Sequence, residues 1–281
     1  MSVSKIKSHA KINLALNVTG KLTKLHKIES IIAFIELHDL ITLKSTKNLK
    51  HVIRFNGKFS KNIKKNNTVQ KLFNILDEQK LLNNKKFQVK ITKNIPQKAG
   101  LGGGSMNAAS ILNFLIRKKF IKLNQKKTFK ITSLIGSDVI LGINPTSTVL
   151  RSNNTLKRFF KCPRLYTLLV KPSFGCSTKK IYSKVKRFTK SKFNNPKKNM
   201  FRSDFLISQN NSLEKIAISK YPKLKKIKSF LGALKNPLFV RMTGSGSVII
   251  GYYQSKQDCE LAKVQFKRKF KDYWCNTSKT I

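Results

Sequence analysis

At 281 residues the chain is long enough to bury a substantial core and to form two domains. Its charge is lopsided, with 59 Lys and Arg against 11 Asp and Glu for a formal net charge of +48. Yet the basic residues run along the whole chain among abundant Asn and Ile, as an A/T-rich coding bias produces, and not on the single face or tail of a nucleic-acid binder.

Such a charge attracts anionic small molecules and costs stability through self-repulsion. No apolar run approaches the roughly 20 residues of a membrane span, and the N-terminus lacks a signal peptide's hydrophobic region. Cys162, Cys176, Cys259 and Cys275 form no Cys-x-x-Cys pair, which argues against a zinc site and fits free thiols in a reducing cytoplasm.

In chain order, HAKINLALNV alternates as a strand, with Ala10, Ile12, Leu14, Leu16 and Val18 on one face and Lys11, Asn13 and Asn17 on the other. Lys11 and Asn13 then stand about 7 Å apart. A second strand is predicted over Ser30–Leu43, polar hairpin or surface loops over 44–66, and a helix over Thr68–Leu82. KFQVKIT reads as a half-buried strand through Phe87, Val89 and Ile91.

Then comes NIPQKAGLGGGSMNAA, from Asn94 to Ala109, followed by apolar residues at helical spacing, Ala108, Ile111, Leu112, Leu115 and Ile116. A strand, a glycine-rich turn and a helix start make a natural anion site, with Ser105 as the expected N-cap and phosphate as the expected guest. The loop has no Gly-Lys-Ser/Thr ending and lacks the third glycine of the dinucleotide fingerprint, so it is neither of those two motifs. By itself such a turn is also often just a tight connection.

A helix over Thr128–Leu134 leads to Asp138, set in the apolar run IGSDVILGI. An unpaired buried carboxylate is costly, so Asp138 needs a cationic partner, a metal or a job. Leu165–Val170 reads as a buried strand, and the basic, proline-interrupted 186–202 as a mobile surface loop. Helices follow around Ser212–Ser219 and Leu224–Leu231, then strands flanking Thr243–Gly246, then a basic amphipathic helix over Lys256–Lys271. Alternating strands and helices point to an α/β or α+β enzyme.

Five ordered segments, KINLALNV, IPQKAGLGGGSMNAA, IGSDV, NNSLE at 210–214 and MTGSG at 242–246, together resemble the GHMP kinase superfamily, and closely its branch acting on 4-diphosphocytidyl-2-C-methyl-D-erythritol. The resemblance implies a two-domain α+β GHMP kinase fold. It has an N-terminal ribosomal-protein-like α/β domain over 1–153, a C-terminal ferredoxin-like α/β domain over 154–281, and the active site between them. It implies phosphorylation by ATP with Mg²⁺ of the substrate's 2-hydroxyl, in the non-mevalonate route to isoprenoid precursors. Asp138 would be the general base and Lys11 the charge beside it, although a solvated strand lysine is the plainer reading of Lys11 taken alone.

The same resemblance gives Pro96, Lys98, Ala99, Gly100, Leu101, Gly102, Gly103, Gly104 and Ser105 to the triphosphate and Asn67 to the nucleoside. It gives Asn13, His26, Tyr182, Thr243, Gly244, Ser245 and Gly246 to the cytidyl substrate. Read alone, Asn13 is a polar strand residue, His26 a surface histidine in a turn, and Tyr182 a core tyrosine. Four positions depart from the family pattern: Thr23-Lys24-Leu25-His26 replaces Asp-Gly-Tyr-His, Met106 and Lys98 replace small residues, and Ser212 replaces an aspartate. The partners implied are a small-molecule cytidyl diphosphate, no membrane and no specific nucleic acid, with a monomer or weak homodimer expected. A homoserine- or mevalonate-type GHMP kinase is the nearest alternative, and a basic non-catalytic binding protein the next.

Overall fold

The computed structural model describes residues 3–23 and 25–281. Two long strands open the chain, β1 over Ser4–Lys21 and β2 over His26–Thr46, and they pair with each other. The alternating face of β1 is real, but its polar side is covered as well: Lys11 and Asn13 are only 5% and 3% exposed. Two compact units share these strands. One comprises Met1–Ala10, Leu37–Gln97 and Gly102–Pro145, the other Lys11–Glu36, Lys98–Leu101 and Thr146–Ile281.

The first unit adds β3 (Val52–Asn56), α1 (Thr68–Glu78), β4 (Lys86–Thr92), α2 (Gly103–Arg117) and α3 (Gln125–Ile135). β4 pairs antiparallel with the end of β2, Leu40 facing Thr92, and parallel with β3, Val52 facing Gln88. The stretch 44–66 is therefore not loop throughout. Val52, Ile53 and Phe55 form a strand because β4 offers them an open edge, and Ile53 and Phe55 pack on the core. In α1, Val69, Leu72, Phe73 and Leu76 recur at helical spacing and are buried, while Asn67 caps its start. They pack with Phe87, Val89 and Ile91 of β4 and with Ile111, Leu112 and Leu115 of α2.

The second unit contains β5 (Ser147–Leu150), β6 (Leu156–Phe159), β7 (Tyr166–Lys171), α4 (Thr178–Tyr182), α5 (Ser203–Ile207), α6 (Glu214–Lys220), α7 (Lys223–Gly232), β8 (Phe239–Met242), β9 (Ile249–Tyr253), α8 (Lys256–Lys269) and β10 (Trp274–Lys279). β5 pairs with β2 at Ser30–Ile32 and with β6. The remaining strands make an antiparallel sheet in the order β10-β7-β9-β8. Leu168, Val170, Ile249 and Tyr253 from that sheet pack with Leu224, Ile227 and Leu231 of α7 and Ala262 and Phe266 of α8.

The segment 186–202 is not the loose loop its composition predicts. Phe193 and Phe201 are buried, and the carboxylate of Glu29 on β2, itself fully buried, accepts the Lys192 and Phe193 N–H groups at 2.8 and 3.0 Å. A buried carboxylate needs donors, and this segment supplies them.

Candidate active site

In the second unit β1 carries Lys11 and Asn13, and the side chain of Asn13 is fixed at both ends. Lys11 Nζ donates to Asn13 Oδ1 at 2.7 Å, while Asn13 Nδ2 donates to Ser30 Oγ at 2.8 Å. The Asn13 main-chain N–H reaches Thr243 Oγ1 at 2.9 Å, and the Lys11 N–H reaches the Leu101 carbonyl at 3.1 Å. Strand, glycine loop and C-terminal turn are thereby joined.

Gly100 shows how tight the junction is. Its φ is +76°, and a Cβ there would lie 2.1 Å from the Thr243 carbonyl oxygen. No other residue fits. Ala99 and Lys98 add carbonyls that accept from Val248 and Ser247, both at 3.3 Å. Ser245 shares a hydrogen bond with Thr178 at 2.9 Å.

Two residues that sequence reasoning left without a role hold the turn from behind. Asn211 Nδ2 donates to the Met242 and Gly244 carbonyls, both at 2.8 Å, and Glu214 accepts the Met242 N–H at 2.6 Å while pairing with Lys228. Ser212, where an aspartate is expected, accepts the Val18 N–H at 3.3 Å. The signal for Asn211 and Glu214 was present: NNSLE is one of the five segments, and Glu214 is one of only 11 acidic residues.

His26, at the start of β2, has the Tyr182 ring at 5.1 Å and the Phe188 ring at 6.5 Å, centroid to centroid. Burial, and then the charge of Lys21, hold its pKa below the ordinary value, so the ring stays neutral around pH 7. Of the Thr23–His26 turn, Lys24 lies outside the described residues.

In the first unit the glycine loop runs into α2, and the cap is not Ser105. Gly102 takes that place with φ +68°, its carbonyl accepting the Met106 N–H at 2.9 Å, and Ser105 falls in the first turn. The reason is conformational: only glycine enters the left-handed region without strain, so the helix begins one residue after Gly102. No side chain caps α2, so its first-turn N–H groups, on Gly103, Gly104 and Ser105, are set for an anion.

Under this turn sits a buried polar cluster. Asp39, at 0% exposure, pairs with Lys93 and accepts the Asn94 and Ile95 N–H groups at 2.8 and 2.9 Å and Asn107 Nδ2 at 3.0 Å. It ties β2, the start of the loop and α2 together. Gly103 lies directly over it, since a Cβ there would stand 3.3 Å from Lys93 Nζ.

Of the other residues singled out, Pro96 is buried and Lys98 is exposed with φ +50°. Asn67 spends its side chain on α1, accepting from Val69 and Gln70 and donating to the Lys64 and Lys65 carbonyls. Asp138 is half-buried, not enclosed, and heads the 3₁₀ turn Val139–Ile143. Met106 is accommodated by Gly142, whose missing Cβ would lie 3.0 Å from the Met106 sulfur.

Among described residues no group of three or more His, Cys, Asp or Glu could hold a metal ion, and no helix is long and apolar enough to cross a membrane. The family model for the GHMP kinases N terminal domain matches residues 67–146, and that for GHMP kinases C terminal matches 186–272. The chain is 58% identical, over the full length of both, to a 4-diphosphocytidyl-2-C-methyl-D-erythritol kinase of Pelagibacter ubique. It is 31% identical to the kinase of the same name from Thermodesulfovibrio yellowstonii, covering 98% of this chain and 97% of that one.

Two solved structures share the fold. A 4-(cytidine 5'-diphospho)-2C-methyl-D-erythritol kinase matches with a TM-score of 0.78 at 22% identity, covering 98% of this chain and 99% of that one. A homoserine kinase from Cytophaga hutchinsonii matches with a TM-score of 0.73 at 14% identity, covering 100% and 95%.

Proposed function

The chain belongs to the 4-diphosphocytidyl-2-C-methyl-D-erythritol kinases of the GHMP kinase superfamily, and we propose that it moves the γ-phosphoryl group of ATP to the 2-hydroxyl of 4-diphosphocytidyl-2-C-methyl-D-erythritol. That is a step of the non-mevalonate route to isoprenoid precursors. The observation that carries the assignment is 58% identity over the whole of both chains. The likeness to homoserine kinase, at 14% identity, concerns the fold alone.

As a kinase of this family the protein takes ATP as phosphoryl donor, and the residues present suit it. An uncapped helix start after a glycine loop offers backbone N–H groups to phosphate oxygens. We assign Pro96 and Ala99–Ser105 to the triphosphate cradle, with the exposed Lys98 adding charge at its edge. Asn67 would serve the nucleoside by fixing where α1 begins. Mg²⁺ would arrive on the phosphates with its waters, since it commonly keeps several, and when bound it neutralises phosphate charge.

In the transfer the substrate oxygen forms its bond to the γ-phosphorus as the bridging bond to ADP breaks, and the hydroxyl proton passes to a base. Asp138 is assigned that role. Lys11, held by Asn13, would favour the ionised hydroxyl by its charge, and Asn13 and Thr243–Gly246 would orient the acceptor. His26 would read the cytosine edge with its neutral ring nitrogens, and Tyr182 would stack on the base.

We place the enzyme in the cytoplasm as a monomer or weak homodimer. The test is ADP release by the purified protein with Mg-ATP and, in turn, the cytidyl substrate, homoserine and mevalonate. Turnover with the first alone is expected; turnover with homoserine and none with the cytidyl compound would overturn the assignment.

A further inference from the structure

Phe188 is an apolar ring left 47% exposed on a backbone that is firmly held. Next to it, Thr189 gives both its N–H and its hydroxyl to the Val18 carbonyl, at 2.9 and 3.2 Å. Four and five residues on, the Lys192 and Phe193 N–H groups bind the buried Glu29 carboxylate, which Asn17 Nδ2 also meets at 2.8 Å. Phe193 is fully buried and anchors the segment. Phe193 and Phe201 of this strap turn inward, whereas Phe188 presents its ring 6.5 Å from His26, which has Tyr182 at 5.1 Å. Where the family pattern sets a tyrosine beside the histidine, this chain has Leu25, 63% exposed and unable to stack.

We propose that Phe188 is a substrate-binding residue that supplies the aromatic wall Leu25 cannot, so that the pyrimidine base of the substrate is held by Tyr182, His26 and Phe188. The proposal rests on the cytidyl reading of the preceding subsection and adds to it a residue from the 186–202 strap. Base–aromatic stacking is sequence-tolerant and depends on ring area, so an aliphatic side chain of similar bulk does not replace it. Glu29 is then a positioning residue, acting through the strap.

The experiment is steady-state kinetics on the purified full chain with Phe188→Ala, Phe188→Leu, Phe188→Tyr and Tyr182→Ala, with CMP as a competitive probe of base binding. Phe188→Ala and Phe188→Leu should raise KM for the cytidyl substrate and Ki for CMP about tenfold, the scale of one lost stack. KM for ATP should stay within about twofold, which also reports a folded protein, and Phe188→Tyr should restore both constants. If wild type turns over the cytidyl substrate and Tyr182→Ala impairs it, while neither Phe188→Ala nor Phe188→Leu changes KM or CMP inhibition, the proposal is wrong and the assigned function stands. If wild type neither turns over that substrate nor is inhibited by CMP, both fall together.

Discussion

Asp138 stands out in the sequence because carboxylates are scarce, and the same scarcity applies with more force to three others. Glu29, Asp39 and Glu214 are buried, at 0, 0 and 7% exposure, and each is met by backbone N–H groups. They are structural ties, whereas Asp138 is half-buried at a helix head. As a general base it should contribute about 10²–10⁴-fold to the rate. Asp138→Asn should therefore lose that much of kcat while binding ATP as wild type does, measured with a fluorescent nucleotide; near-normal turnover would remove the role. Met106 offers a second test, since its bulk after the loop is matched by Gly142. Gly142→Ala would push a methyl to within 3.0 Å of the Met106 sulfur and 2.7 Å of Ala109 Cβ, costing about 1–3 kcal/mol as overpacking. In a double-mutant cycle with Met106→Ala, urea midpoints should show favourable coupling of at least about 0.5 kcal/mol; additive effects would mean the two do not share the space.

At the scale of elements, periodicity marked the strands and helices because one face of each meets a core, and it missed what depends on partners. Val52–Asn56 is too short and too polar in its flanks to read as a strand, and its identity comes from β4. Gly102 displaces Ser105 as cap through a left-handed φ that composition does not reveal. The 186–202 strap reads as loose because its anchor, Glu29, is more than 150 residues away. The corner of β4 and α1 hides a further partner-dependent feature. His51 Nδ1 accepts the Phe87 N–H at 3.0 Å, Nε2 meets Asp77 at 3.2 Å, and the Phe73 ring lies 4.3 Å away. Burial outweighs the aspartate and lowers the histidine pKa below 6.5. The unfolded chain then binds the proton more readily than the native one, so stability contributed by neutral His51 is present above about pH 6.5 and lost as pH falls toward the lower native value. Between pH 7.5 and 5.5 the wild type should lose urea stability that His51→Gln does not; parallel pH profiles for the two proteins would rule the effect out. Asp77, whose pKa is also lowered, titrates below this window.

For the molecule as a whole, the two matched family regions fall on either side of residue 153, yet the compact units interleave, since β1 and β2 each contribute residues to both. A cut point read from sequence cannot express that. The net charge has a clearer consequence. Among the described residues three acidic side chains (Glu29, Asp39, Glu214) and three basic ones (Lys11, Lys93, Arg241) are buried, so the net positive charge stays on the solvent-facing surface. Repulsion among the surface lysines opposes the folded state, while the same field draws in ATP and a cytidyl diphosphate, both anions. Salt weakens both effects, because the Debye length falls from about 10 Å at 0.1 M to about 3 Å at 1 M. Raising sodium chloride from about 0.05 to 0.5 M should therefore raise the urea midpoint and also raise KM for both substrates. Glycerol at matched viscosity should leave KM alone. A protein that loses stability steadily over that range would show that specific ion pairs, and not diffuse repulsion, govern its electrostatics. Among the described residues, the Asp39–Lys93 pair has both partners largely shielded, and such a pair is the kind salt reaches least.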